Sequence, residues 1–258
     1  MTLLAVAVAG RGLVDPAESV FSAGDEALLR GSAAFETVRV YGRRPFLLDR
    51  HLDRLAHSAA ALALRAPVDA EALAMLVVGA APPDHVLRLY RTDEALVATA
   101  AALPDGLEEL RRRGLTLASV SAGTSPLLPG VKSTSYADAF AARRSVDADD
   151  VLFLSGDVVR ECATANIWWR LDGVLHTPAV GPGVLPGVTR SFVLDLEPGA
   201  REGTFTVAQL LLADEAFTTS SIREVMPVRA VDGQTIGGGV PGPAAARLQA
   251  TLRLRSAG

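Results

Sequence analysis

The sequence predicts an α/β protein of two domains, an α+β N-terminal domain followed by an α/β C-terminal domain. The chain has 258 residues, of which 49% are hydrophobic, so it can bury a core in each domain. Short runs of alternating apolar residues occur beside longer runs with helical spacing, which indicates strands and helices together. Residues 122–130 (AGTSPLLPG) are rich in Gly, Pro and Ser and show neither period. We therefore expect a smaller domain at 1–120, a linker at 121–131 and a larger domain at 132–258.

The N-terminal domain is predicted to alternate between strands and helices. Beyond Asp49, which is a suitable N-cap, Leu52, Leu55 and Ala59 recur at helical spacing. The predicted strands are 3–9, 36–41, 85–91 and 115–121, and the predicted helices are 49–64, 68–79 and 107–113. This mixture is typical of an α+β domain.

The C-terminal domain is predicted to contain a compact sheet built from hairpins. Two hairpins are predicted, one about the Ser-Gly pair at 155–156 and one about the Asp-Gly pair at 172–173, because each pair separates two strand-like runs. A helix is predicted to begin at Val188 or Thr189, after the Pro-Gly turn at 186–187, and its first backbone N–H groups could hold a phosphate. Other predictions are helices at 135–146 and 243–254 and a strand within 217–228 that runs into a Ser/Thr-rich loop.

Composition argues against several classes of function. The net charge is −4 and the arginines are scattered, which disfavours binding to nucleic acid. The apolar run at 3–9 is too short to cross a membrane. Cys162 is the only cysteine, so an internal disulfide is impossible and a cytoplasmic setting is expected. No metal is expected, because the histidines lack tight metal-ligand spacing: His51, His57, His85 and His176.

One lysine stands out against the other basic residues. Of the 25 Lys and Arg residues, 24 are arginines and Lys132 is the only lysine. An arginine stays protonated, whereas a lysine can lose its proton and form an imine with a carbonyl. The skew therefore favours imine chemistry at Lys132, and the alternative is a single surface lysine left by chance in an Arg-rich composition.

A pyridoxal 5′-phosphate (PLP) site would account for this lysine. Such a site needs an amine for the aldehyde, a carboxylate for the pyridine nitrogen, and N–H groups and hydroxyls for the phosphate. The candidates are Lys132, Glu161 at a predicted strand end, Val188 and Thr189 at the helix start, and Ser220 with Ser221 in the late loop. Each also has a plain structural explanation, such as a solvated Glu161 or an ordinary helix start.

The order of these motifs resembles the class IV aminotransferase family, the fold type IV PLP enzymes. This family includes branched-chain and D-amino-acid transaminases and 4-amino-4-deoxychorismate lyase. The likeness spans nearly the whole chain in five ordered blocks: FETVRVYGRRPFLLDRHLDRL (35–55), VKSTSY (131–136), DVVRECATANIWWRLDGVLHTP (157–178), GVLPGVTR (183–190) and FTTSSIREVMPV (217–228). The resemblance implies a D-amino-acid aminotransferase-like fold, PLP as the cofactor and a homodimer.

The resemblance also assigns roles to residues at matching positions. It implies that Lys132 is the Schiff-base lysine and that Glu161 pairs with the pyridine nitrogen. For the phosphate it implies Arg54, the backbone N–H groups of Val188 and Thr189, and Ser221 beside Ser220. Tyr136 lies near the family tyrosine that contacts the ring hydroxyl, although it is one residue closer to the lysine than in the branched-chain enzymes.

Two local features favour the lyase over the transaminases. The run ECATANIWWR is closer to the lyase pattern, and Thr37 falls where lyases often carry a threonine that faces the substrate. Its hydroxyl could pass a proton to the departing enolpyruvyl group, although a threonine is also an ordinary strand residue. Phe35 and Arg91 are the candidate substrate contacts, with Arg91 placed to bind a carboxylate. The glycine that often follows this arginine in the family is replaced here by Thr92.

Three functions thus remain open at the level of sequence. The first is aminodeoxychorismate lyase, which releases pyruvate and forms 4-aminobenzoate, a folate precursor. The second is a branched-chain or D-amino-acid transaminase with the same cofactor. The third is a non-catalytic protein that binds small molecules on the same scaffold. None of them involves nucleic acid or a membrane.

Overall fold

The computed structural model of the chain describes residues 2–65, 69–122 and 128–257. Contacts between Cα atoms divide the chain into two compact units. Unit 1 comprises Met1–Asp105, Val131–Tyr136 and Ser256–Gly258, and unit 2 comprises Gly106–Gly130 and Ala137–Arg255. The mixture of helices and strands confirms the predicted α/β class.

The units differ from the predicted division at two places. The strand at 115–121, expected in the N-terminal domain, pairs in parallel with two strands of unit 2. Residues 132–136, expected to begin the C-terminal domain, belong to unit 1 together with residue 131 of the predicted linker, and Ser133 there forms a β-bridge with Ala34. Both differences come from long-range strand pairing, which local composition does not encode. Residues 123–127 of the predicted linker lie outside the described residues.

Unit 1 contains an antiparallel sheet with the strand order β2-β1-β6-β5-β3-β4. The strands are β1 (Leu3–Val8), β2 (Gly12–Val14), β3 (Ala34–Tyr41), β4 (Arg44–Pro45), β5 (His85–Arg91) and β6 (Leu96–Ala101), and the helices are α1 (Glu26–Arg30), α2 (Leu48–Ala61) and α3 (Ala70–Ala80). Helices α2 and α3 bury one face of the sheet, with Val38, Leu55, Val77 and Leu89 in the core. This face will be called the helix face.

Two local features of unit 1 were not predicted correctly. Asp49 is not the N-cap of α2, because the helix begins one residue earlier, after Leu47 in a left-handed conformation (φ 52°) without a side-chain cap. Asp49 instead lies in the first turn, where its negative charge suits the helix dipole. Strand β6 was missed because all of its residues are buried, and a strand buried on both faces shows no alternation.

Unit 2 contains a larger mixed sheet with the order β12-β11-β10-β13-β14-β7-β8-β9, and β15 pairs with β14. The strands are β7 (Leu115–Ser121), β8 (Asp150–Ser155), β9 (Val158–Cys162), β10 (Asn166–Leu171), β11 (Val174–Pro178), β12 (Arg201–Gly203), β13 (Glu215–Ser220), β14 (Glu224–Val231) and β15 (Gln234–Thr235). The helices are α4 (Leu107–Arg113), α5 (Ala137–Arg144), α6 (Val188–Leu196), α7 (Val207–Leu211) and most of α8 (Pro243–Ala257). Both predicted hairpins are present, as β8–β9 and β10–β11.

The core of unit 2 explains the adjacent tryptophans on β10. Trp169 packs in the main apolar cluster with Ile167 and Met226, whereas Trp168 faces the other side of the strand; both are fully buried. Cys162 is buried in the same cluster as Trp169, and burial raises the pKa of its thiol well above the usual value. These contacts agree with a packing role for Cys162.

Candidate active site

The backbone of Lys132 is tied into unit 1 by hydrogen bonds on both sides. The Lys132 carbonyl accepts a hydrogen bond from the Phe35 N–H on β3 at 3.1 Å. The Lys132 N–H donates to the Ser58 hydroxyl on α2 at 3.0 Å. Ser58 is fully buried, so the segment that carries the lysine is attached to a strand and to a helix of the core.

The Lys132 amine lies against two aromatic side chains. Its Nζ donates to the Tyr136 hydroxyl at 3.2 Å and is 4.4 Å from the centroid of the Phe35 ring. The Tyr136 and Phe35 rings meet edge to face at 5.5 Å. The amine is therefore partly buried and oriented, as a nucleophile for a carbonyl must be.

A buried ionic cluster on the helix face of unit 1 holds Arg54. The carboxylate of Glu36 accepts hydrogen bonds from Arg54 Nε and Nη2, both at 2.7 Å, and from His51 Nδ1 at 2.7 Å. Burial raises the pKa of Glu36, but the hydrogen bonds and charge of Arg54, with the bond from His51, outweigh it and lower the pKa to about 2. Burial lowers the pKa of His51, so a neutral imidazole donates from Nδ1. The phosphate contact of Arg54 stays a prediction.

The register of β3 and β5 places the candidate substrate residues on different faces of the sheet. Thr37 pairs with Arg88, whereas Arg91 pairs with Ala34. Side chains of paired residues point to the same face, so Thr37, Phe35 and Arg88 share one face and Arg91 projects to the helix face. Arg91 Nη2 there donates to the Leu64 carbonyl at 3.4 Å. The structure thus places Arg88, which the sequence did not single out, beside Thr37, and the substrate contact of Arg91 stays a prediction.

Glu161 in unit 2 is fixed by two hydrogen bonds. Its Oε2 accepts from Asn166 Nδ2 at 2.8 Å and from the Leu185 N–H at 3.0 Å. Asn166 Nδ2 also donates to the Leu185 carbonyl at 3.0 Å. The carboxylate predicted to hold the pyridine nitrogen is therefore positioned by a neighbouring strand and by the loop that leads to α6.

Helix α6 begins at Val188, as predicted, and its N-terminus has the form of an anion site. Gly187 is the N-cap residue, and no side chain caps the helix start. A Cβ atom at Gly187 would lie 2.0 Å from Asn166 Oδ1, so only glycine fits there. Val188 and Thr189 are both buried, and their N–H groups belong to the first turn, which the helix itself leaves unpaired.

The predicted serines lie at the tip of the β13–β14 hairpin. Ser220 ends β13, its hydroxyl accepts from the Arg223 N–H at 3.3 Å, and Ser221 is the next residue in the turn. β14 follows directly, so the predicted late loop is a hairpin turn. The phosphate contacts of both serines stay predictions.

Three buried side chains at the start of α6 and beside it form contacts that the sequence did not predict. Trp168 Nε1 donates to the Thr219 hydroxyl at 3.1 Å, and the guanidinium of Arg190 lies 5.9 Å from the centre of the Trp168 ring. Arg190 also donates to the Pro178 carbonyl at 2.9 Å. These contacts fasten the first turn of α6 to β10, β11 and β13. No local pattern predicts them, because they join four separate elements.

The residues of both units fit PLP. Unit 1 offers an oriented primary amine, and unit 2 offers a hydrogen-bonded carboxylate and a glycine-led helix start that a Cβ atom would obstruct. This donor set is what a PLP enzyme requires. In the part of the chain that the structure describes, no cluster of three His, Cys, Asp or Glu side chains could hold a metal ion. Among the same residues, no helix is long and apolar enough to span a membrane.

Comparison with known proteins identifies the family. The model of the amino-transferase class IV family matches residues 33–231, and the chain belongs to this family of PLP enzymes. It is 29% identical over 249 residues to the aminodeoxychorismate lyase of Bacillus subtilis, covering 85% of this chain and 84% of that protein. It is 30% identical over 249 residues to a putative branched-chain-amino-acid aminotransferase of Methanocaldococcus jannaschii, covering 86% of each.

A solved structure that holds a cofactor of this type confirms the fold type IV architecture. A branched-chain amino acid aminotransferase from T.th., solved with pyridoxamine 5′-phosphate, matches with a TM-score of 0.89 and 26% identity, over 99% of this chain and 95% of that one. The protein is therefore an enzyme of the PLP-dependent class IV family, which argues against the non-catalytic hypothesis. Relatives with lyase and transaminase names match almost equally well, so sequence identity does not distinguish the two reactions.

Proposed function

We propose that the chain is a PLP-dependent 4-amino-4-deoxychorismate lyase that releases pyruvate and forms 4-aminobenzoate, a folate precursor. The observation that carries the proposal is the position of Thr37. It shares a sheet face with Phe35, whose ring contacts the Lys132 amine, and it pairs with Arg88. A hydroxyl thus lies opposite a cation that can bind a carboxylate, on the sheet face whose Phe35 contacts an amine that can move a proton. The Bacillus subtilis relative named as this lyase supports the same reaction.

Lys132 and Thr37 would act in different steps of this reaction. Lys132 would hold PLP until the amino group of the substrate takes its place, and PLP would then supply an electron sink for the carbon from which a proton is removed. The Lys132 amine, then free, would take the proton from ring carbon C4 of aminodeoxychorismate. The bond between C3 and the ether oxygen would then break, the Thr37 hydroxyl would protonate the departing enolpyruvyl oxygen and regain a proton from the Lys132 ammonium, and the freed enol would become pyruvate. Aromatisation of the ring drives the step.

Arginines would bind the substrate, which carries two carboxylates. Arg88 and Arg91 are the two candidates. Arg88 is the better placed, because it shares the sheet face of Thr37 and Phe35. A guanidinium can bind a carboxylate with two parallel hydrogen bonds. Phe35 contributes an apolar wall beside the amine.

For the cofactor we assign the roles that the family resemblance implies. Glu161 would hold the pyridine nitrogen, and Tyr136 the ring hydroxyl. The phosphate would bind to Arg54, to the N–H groups of Val188 and Thr189, and to Ser220 and Ser221. A cytoplasmic homodimer completes the proposal; a single cysteine, buried in unit 2, agrees with a reducing compartment.

A transaminase of branched-chain or D-amino acids is the second candidate. It is supported by the 30% identity to the putative branched-chain enzyme. In that reaction the lysine moves the proton from the substrate carbon to the cofactor, and the amino group stays on the cofactor.

A paired substrate assay separates the two reactions. Purified enzyme loaded with PLP is given aminodeoxychorismate, and 4-aminobenzoate and pyruvate are measured; separate samples receive L- or D-amino acids, and the cofactor absorbance is followed. We expect equal amounts of 4-aminobenzoate and pyruvate. Conversion of the cofactor to its amine form by amino acids, with no 4-aminobenzoate, would show that the enzyme is a transaminase.

A further inference from the structure

The buried amide of Asn166 touches both parts of unit 2 that are proposed to hold the cofactor. Its Nδ2 donates to Glu161 Oε2 at 2.8 Å and to the Leu185 carbonyl at 3.0 Å. Its Oδ1 occupies the space where a Cβ atom of residue 187 would lie. Asn166 is 5% exposed, so water cannot easily replace these contacts.

Glu161 and the loop before α6 are also joined directly. The Leu185 N–H donates to the same Oε2 that Asn166 contacts. The peptide groups on either side of Leu185 therefore both take part, one by donating to Glu161 and the other by accepting from Asn166. Asn166 and Glu161 are five residues apart on successive strands β9 and β10, so the contact bridges a strand connection.

We infer that Asn166 is a positioning residue that couples the pyridine-binding carboxylate to the phosphate-binding helix start. A shift of the loop at 184–187 would break the bond to Leu185 and release the amide that orients Glu161. Conversely, a rotation of Glu161 would free Asn166 and open the space beside Gly187. The inference rests on the proposed cofactor contacts of Glu161, Val188 and Thr189.

Two fragments of the cofactor test the coupling directly. Inorganic phosphate probes the helix start and pyridoxal, which lacks the phosphate, probes the pyridine end; the affinity of each is measured on the full-length chain freed of cofactor. We expect Asn166→Ala to weaken the binding of both fragments and to weaken PLP binding roughly 10-fold to 100-fold, as for the loss of a hydrogen bond to a charged group. Loss of affinity for one fragment alone would overturn the coupling.

Gln249→Ala is a matched control. Gln249 Nε2 donates to the buried carboxylate of Glu224 at 2.7 Å, and its Oε1 accepts from the Val225 N–H at 3.0 Å. It is thus another amide of unit 2 that joins a buried carboxylate to the backbone. Gln249→Ala should leave the affinities for PLP and both fragments unchanged, and an equal loss in both variants would attribute the effect to general destabilisation.

Asn166→Asp gives a second readout that keeps the shape of the side chain. In this variant two carboxylates, that of residue 166 and that of Glu161, lie at hydrogen-bond distance, which raises the pKa of one of them. Below that pKa the pair shares a proton, and residue 166 can again donate a hydrogen bond to Glu161. We expect the loss of PLP affinity relative to wild type to shrink between about pH 8 and about pH 5.5. A loss that is constant with pH would contradict the donor role. If the wild-type chain itself bound no PLP, the proposed function would fail instead.

Discussion

The two units carry candidate cofactor-binding groups of different kinds. In unit 1 they are long side chains that other side chains hold in place: Lys132 lies against Phe35 and Tyr136, and Arg54 is held by Glu36. In unit 2 the groups proposed to bind the phosphate include backbone N–H groups, whose geometry depends on the absence of a side chain at Gly187. Unit 1 thus offers reactive and charged side-chain groups, and unit 2 offers backbone N–H groups at a closely packed helix start.

Different kinds of substitution should therefore damage the two units. In unit 1, a substitution that removes a functional group but keeps the shape of the side chain should abolish a step of the reaction. In unit 2, adding a single carbon atom should do more harm than removing one.

Lys132→Ala is expected to abolish both turnover and the visible absorbance of the bound cofactor. Lys132 is the only side-chain amine in the chain, so no other lysine can form the imine. Absorbance spectra of the purified protein with added PLP measure the effect. Lys132→Arg, which keeps the positive charge, should fail equally. A visible imine band in either variant would disprove the assignment.

Thr37→Val is expected to lower kcat of the lyase reaction about 100-fold or more, because a general acid typically contributes at least that factor. Valine has the same shape, so the cofactor absorbance and affinity should not change. Thr99→Val is the control, since Thr99 pairs with Arg88 from the opposite neighbouring strand but is assigned no role. Similar kcat values for Thr37→Val and wild type would remove the observation that carries the lyase proposal.

Glu36→Gln is expected to lower the free energy of unfolding by about 3 kcal/mol near neutral pH. This is the stabilisation that corresponds to lowering the pKa of Glu36 from 4.5 to about 2 on folding. Because the folded-state pKa is the lower one, this stabilisation is fully present above pH 4.5 and disappears as the pH falls through 2. Denaturant unfolding from pH 7 to pH 3 measures it. The difference between wild type and variant should narrow toward pH 3, and a constant difference would contradict the ionic role of Glu36.

Gly187→Ala is expected to weaken PLP binding about 10-fold to 100-fold, because the new methyl group must displace Asn166 and with it a hydrogen bond to a charged carboxylate. Gly181→Ala is the matched control, since a Cβ atom there meets nothing within 4 Å. Titration of cofactor absorbance compares the two variants. If both bind PLP like wild type, the idea that unit 2 depends on close backbone packing is wrong.

Much of the fold was predictable because its signals are local. The hairpin at 172–173 follows from an Asp-Gly pair in which both residues adopt positive φ, as a tight two-residue turn requires. The start of α6 at Val188 follows from the preceding Pro-Gly turn. By contrast, β6 was missed, because a strand buried on both faces lacks alternation. Strand β14 was merged into the predicted loop, because a hairpin partner is defined only by its pairing.

The site was predictable only in part, for a related reason. Residues with distinctive chemistry, such as Lys132, Glu161 and Gly187, could be named from their type and their neighbours. Glu36, Arg88 and Asn166 could not, because a glutamate, an arginine and an asparagine in strands have many ordinary explanations. Their importance comes from partners that are 5 to 51 residues away in the chain.

The amino-acid sequence alone specifies the local features of this enzyme: one side-chain amine, an alternation of strands and helices, and a glycine before a helix. The folded structure adds the arginine that lies beside Thr37, the carboxylate that binds Arg54 and the amide that joins Glu161 to the loop before α6. Composition and periodicity act over a few residues, whereas strand register and side-chain contacts are set when distant segments pack together.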